Sequence, residues 1–174
     1  MAKTATYSLI ASTTVGTATA TVDFTSIPAT FTDLVLVGSP TTTLDGRDLR
    51  IRFNSDTGTN YSYTYISGYT SATSGRNSNL GYIQIGNFIG TSNVYPALYI
   101  THIQDYANTT TYKTSLTRHN QSQANVNSTY TEVIAQANLW RSTAAINAIN
   151  ISLSTSTYVT GSTFKLYGIQ AGNA

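Results

Sequence analysis

Cysteine is absent from the sequence. That excludes disulfides and every zinc site built on thiolates, so rigidity has to come from packing. Charge is scarce too: 9% of the 174 residues are charged, where a globular domain ordinarily carries about 25%. The net charge is +2, and the only basic grouping is Arg47, Arg50 and Arg52. Holding a phosphate backbone takes clustered cations, because each neutralised phosphate releases counterions. Nucleic acid is therefore not an expected partner. No apolar run approaches the ~20 residues that span a bilayer, and Met1 to Ile10 lacks the apolar stretch of a secretory signal. Neither a membrane nor a leader is expected. Asn-x-Ser/Thr triplets begin at Asn60, Asn108, Asn120, Asn127 and Asn150; in so hydroxyl-rich a chain they read as chance.

What replaces charge is Thr, Ser, Asn and Tyr. With 40% hydrophobic residues a core can form, and the length suits one domain over residues 1–174. Apolar residues alternate with polar ones in short runs divided by turn residues, the period of half-buried strands. Asp48 to Asn54 is the clearest: Leu49, Ile51 and Phe53 point one way, and Asp48, Arg50, Arg52 and Asn54 the other. Further strands are expected over residues 7–12, 19–24, 33–38, 61–69, 81–89, 97–103, 112–119 and 130–140, around Ile149–Leu153, and around Phe164–Gly168. Residues 70–79 read as a long polar loop. Thr143 to Ile149 reads as a single helical turn before a strand, too short for a stable helix. The expectation is an all-β antiparallel sandwich, jelly-roll-like, of about ten strands.

Reactive chemistry needs titratable groups brought together, and few are available. Asp45 and Asp48 flank Gly46-Arg47 and read as a polar turn rather than a carboxylate pair. Asn54, Asp56 and Asn60 place oxygen side chains at alternate positions around Gly58, a faint likeness to a calcium loop, but the closing Glu and the flanking helices are missing. An Asx-type turn is the preferred reading. His102 and His119, with Asp105, are the only imidazole-based metal candidates. They fall on separate strands and are expected to end a strand or pack on Tyr. No catalytic residue, metal or cofactor is expected, and the chain is not read as an enzyme.

The thirteen tyrosines are the more informative feature. Tyr61, Tyr63, Tyr65 and Tyr69 cluster, three of them on one strand face. Tyr is enriched at interfaces because it combines apolar area with a polar tip. The cluster therefore fits either a subunit interface or sugar-stacking platform, or a ladder closing the core. Trp140 is expected in the core, with Arg141 available to stack across a contact. Long, lightly charged strands also invite edge pairing with other chains, which monomers usually block with Lys. Scarcity of such guards points to an assembly role.

Asp48-Leu-Arg-Ile-Arg-Phe-Asn54, followed by Asp56, Gly58 and Asn60-Tyr-Ser-Tyr63, resembles a block found in small structural proteins of tailed bacteriophages and prophages. Asn108-Thr-Thr-Thr-Tyr-Lys113, Leu139-Trp-Arg-Ser-Thr-Ala-Ala-Ile-Asn147 and Gly161-Ser-Thr-Phe-Lys-Leu-Tyr-Gly-Ile169 follow in the same order. The resemblance implies a virion subunit without enzymatic motifs. It would be a capsid decoration (cement) protein bound to the major capsid protein or other virion proteins, with a homotrimer favoured. The alternative it implies is a tail or fibre module that binds a host glycan.

Overall fold

Alternating sequence becomes alternating structure: the chain forms strands and, among the described residues, no helix. The computed structural model describes residues 6–44, 47–89, 91, 97–125 and 128–170. In chain order the strands are β1 (Tyr7–Thr14), β2 (Thr21–Phe24), β3 (Asp33–Ser39), β4 (Arg47–Phe53), β5 (Tyr61–Gly68) and β6 (Ala72–Leu80). They continue with β7 (Ile83–Ile89), β8 (Leu98–Ile103), β9 (Lys113–Asn125), β10 (Ser128–Trp140), β11 (Ile149–Leu153) and β12 (Thr163–Ile169). The sandwich therefore has twelve strands where the sequence led us to expect about ten.

The pairing is that of a jelly roll. β1 pairs with β12, β2 with β11, β3 with β8 and β4 with β7, all antiparallel. This is one long ribbon of strands folded over on itself. Two hairpins interrupt it: β5–β6 between β4 and β7, and β9–β10 between β8 and β11. Because β9 joins β8 and β5 joins β10, both insertions extend the same sheet. The result is an eight-stranded sheet, β1-β12-β3-β8-β9-β10-β5-β6, over a four-stranded one, β2-β11-β4-β7.

The core lies between the two. Leu49, Ile51 and Phe53 of β4 meet Leu153, Ile151 and Ile149 of β11 in register, and all six are buried. From the larger sheet come Leu34, Leu36, Tyr99, Ile103, Phe164 and Leu166. Where the first inserted hairpin leaves the ribbon, Phe53 packs on Trp140 at 5.5 Å, and Trp140 stacks on Tyr61 at 6.2 Å. Further along β9 and β10 the buried layer turns polar. Thr101 and Thr117 share a hydrogen bond of 3.0 Å. Asn138 donates to Ser115 Oγ and Thr117 Oγ1, and Gln136 Nε2 donates to the Gln84 carbonyl of β7 at 2.8 Å. Each of these groups finds a partner, as most buried polar groups do.

Three local expectations are corrected. Residues 70–79 hold a strand, β6, rather than a loop. Its Ala-Thr-Ser-Gly-Arg-Asn sequence has no apolar period, and pairing with β5 makes it extended. β9 runs six residues beyond His119, again by pairing, with β10. The helical turn at 143–149 is absent, because its backbone is spent elsewhere. Ile146 N–H donates to the Tyr106 carbonyl, and Asn147 and Ala148 N–H both donate to Asn54 Oδ1. No i→i−4 bond is left to compete.

Candidate functional site

Tyr61, Tyr63 and Tyr65 share one face of β5, and the cluster divides by how deep along the strand each sits. Tyr61 and Tyr63 are buried, so their rings belong to the core and not to an interface. Tyr61 donates its hydroxyl towards the Phe53 and Asp56 carbonyls, and burial pushes its phenol well above the usual range. Tyr63 accepts from Asn77 Nδ2 at 2.8 Å. Tyr65 is half-buried, and its ring covers Gly75 of β6 so closely that a Cβ there would sit 2.8 Å from it. Only Tyr69, just past β5, stays exposed. The guanidinium of Arg141 donates to the Thr59 carbonyl, Asn79 Oδ1 and Ser62 Oγ, which pins the turn before β5. Among the interface candidates, then, Tyr69 is exposed and Tyr65 and Arg141 are half-buried.

The titratable candidates are spent on scaffold contacts. Asp56 forms an Asx turn: its Oδ1 accepts from Gly58 N–H at 2.8 Å, and its Oδ2 accepts from Asn60 Nδ2 at 2.9 Å and Trp140 Nε1 at 2.7 Å. Burial raises this carboxyl, but the donors from Asn60, Trp140 and Gly58 outweigh burial and hold it below its ordinary value. Asn54 turns its oxygen to the 147–148 backbone, so the calcium-like spacing is occupied by hydrogen bonds. Asp48 stands 3.9 Å from Arg50, and burial raises its carboxyl against that charge; Asp45 lies outside the described residues. Arg50 and Arg52 both lie over the Tyr82 ring, so the one basic grouping is stacked on the smaller sheet.

The histidines do not meet. His102 pairs with Asp33 at 3.0 Å, and Asp33 also accepts from Asp105 N–H. His119 is buried and stacks on Tyr99 at 4.9 Å. Neither of its ring nitrogens has a hydrogen-bond partner, and burial pulls it down to about 4. Among the described residues no group of three or more metal-ligating side chains converges.

What the sequence did not reveal is the outward face of the larger sheet. Register carries one outward row through Tyr167, Val35, His102, Leu116, Ala137 and Thr64. The next row runs through Lys165, Val37, Ile100, Arg118, Ala135 and Ile66 by the same pairings. Leu116, Ile66 and Val133 are 66%, 64% and 63% exposed. Two shallow hollows flank Leu116, one of about 350 Å³ reaching Tyr7 and Arg118, the other of about 400 Å³ reaching Asp33 and Gln104. The opposite outer face, on the smaller sheet, is polar: Asn150 there donates to Asp23 at 2.7 Å beside Arg52. Counting Leu, Val and Ile along the strands does not separate inner from outer rows when both are apolar, so only pairing shows this face. No protein-family model, no curated protein and no solved structure gives a match to this chain.

Proposed function

We propose that this chain is a structural subunit of a tailed-bacteriophage particle, a decoration protein that binds the outer capsid shell and stabilises it through protein contacts. The observation that carries the reading is the open edge formed by β6. Ala72–Leu80 is a nine-residue edge strand with a single charge, Arg76, and neither Lys nor Pro. An edge left so unguarded is a template for another chain's strand, which solitary proteins avoid. The β5–β6 register shifts once, between Asn77 and Leu80 at the end of β6, which leaves Ala72–Asn77 as the regular open run, whereas the opposite edge, β1, is interrupted within the strand by a bulge at Leu9/Ala11, a usual way of blunting one. Ionisable groups tied into turns and ladders fit the same role, as does the phage-like order of sequence blocks.

The test is addition. Purified protein mixed with capsids lacking it is expected to bind and to raise the temperature at which they release DNA. Ser74→Lys, which places a guard on β6, is expected to weaken binding while leaving the fold intact. Capsids that neither bind the protein nor gain heat resistance would count against the reading. The glycan-binding alternative draws on the exposed Tyr7, which stands edge-on to Tyr167 at 6.4 Å beside one hollow. It predicts adsorption to host cells that free sugars compete away.

A further inference from the structure

We infer that the outward face of the eight-stranded sheet is the contact between two copies of this chain, related by a two-fold axis that crosses the strands at the level of Leu116. The inference concerns the chain itself and stands apart from where in a particle it sits.

Large exposed apolar residues are normal when single and informative when gathered. Of the nine among the described residues, Tyr7, Leu9, Ile66, Leu98, Leu116 and Val133 lie on this one face. The other three, Leu44, Tyr69 and Tyr112, stand apart in connecting segments. Seven of the strands, at ~4.8 Å spacing and three outward rows deep, make a surface of roughly 34 by 20 Å. With corrugation that approaches the ~800 Å² per partner of a standard interface.

The occupant follows from what the rest of the molecule offers. A head-to-tail contact between copies needs a second, different apolar surface to receive the first. Among the described residues there is none: the other outer face carries Asp23, Asn150, Arg50 and Arg52. The apolar face matches only itself, and self-matching means a two-fold pair.

Charge then orients the axis. Arg118 lies two residues from Leu116 along β9. An axis running along β9 would set the two guanidinium groups against each other. An axis across the strands at Leu116 sends them to opposite sides, about 14 Å apart at 3.4 Å per residue, beyond the ~8 Å screening length; the exposed Arg76, which ends the Leu116 row on edge strand β6, lies outside the seven-stranded patch. The strands of the two sheets then run nearly antiparallel, an ordinary alignment for stacked sheets. The hollows beside Leu116 receive side chains of the second copy.

The experiment is sedimentation of the full chain at micromolar concentration, with variants. Wild type is expected to be dimeric. Leu116→Arg is expected to raise the dissociation constant roughly thirtyfold or more, as loss of a central anchor does, with an unchanged circular dichroism spectrum. Tyr69→Arg, off the face, should stay dimeric. Because the chain has no cysteine, Leu116→Cys is a clean reporter: a short bis-maleimide should link it into dimers, and should not link Tyr69→Cys. A monomeric wild type, a dimer untouched by Leu116→Arg, or a trimer would each overturn the proposal. If Leu116→Arg fails to fold, Ile66→Arg serves in its place with the same expectation.

Discussion

The indole N–H of Trp140, at the end of β10, donates to Oδ2 of Asp56, in the turn after β4, at 2.7 Å. This bond ties the turn after β4 to the second inserted hairpin, which the β8–β9 ladder also holds to the ribbon. Trp140 is buried against Phe53 and Tyr61, and its N–H points out to a carboxylate that is only partly buried.

Asp56→Ala is expected to destabilise the chain by about 1.5–3 kcal/mol, the worth of hydrogen bonds to a charged acceptor. Asn60 and Gly58 lose their acceptor as well. A chemical-denaturation curve followed by the fluorescence of the single tryptophan measures it, and the midpoint should fall. Since the folded-state carboxyl is held low, its contribution is present above the unfolded value near 3.9 and fades as pH drops through the folded one.

His119 acts in the same direction, over a higher window of pH. Its folded value of about 4 lies below the ordinary 6.5, so between those values the unfolded chain binds the extra proton. Stability from this group is complete above about pH 6.5 and falls as the pH is lowered towards 4, by about 3 kcal/mol. His119→Phe keeps the stack on Tyr99 without titrating. The difference between wild-type and variant unfolding free energies should therefore slope across that window and flatten above it.

Gly168, in β12, lies under the ring of Phe31. A Cβ there would stand 2.2 Å from Phe31 Cγ, near the stem of the side chain rather than its mobile tip. Gly168→Ala should cost about 1–3 kcal/mol through forced repacking, visible as a lowered Tm. Gly16→Ala, where nothing lies within 4 Å, should leave it near the wild-type value.

Asn138 holds Ser115 and Thr117 across β9 and meets Gln136 within β10. Asn138→Ala breaks the buried polar layer on one side only, which is the costly way to break it. A loss of about 1–3 kcal/mol is expected. Hydrogen exchange should quicken first along β9 and β10.

How much of this could be read in advance depended on what each strand had for neighbours. β4 and β11 each carry a buried aliphatic row, and the period alone revealed them. β6 has no such row; Tyr65 lying over Gly75 and the ladder to β5 make it a strand, and neither is visible along the chain. Asn54 and Asp56 were legible as turn formers because their side chains bond nearby backbone. That Asn54 would also hold the 147–148 backbone, 93 and 94 residues away, was not. The tyrosine cluster pointed to β5, yet two of its rings turn inward, whereas the outer apolar face is set by register across seven strands.

The proposed function is that this sandwich is bound by other proteins in a particle. Cryo-electron microscopy of the intact particle tests it most directly. The account predicts density for this jelly roll on the outer capsid shell, with β6 against a neighbouring protein. Particles that lack the chain altogether, or that show it with β6 facing open solvent, would contradict it.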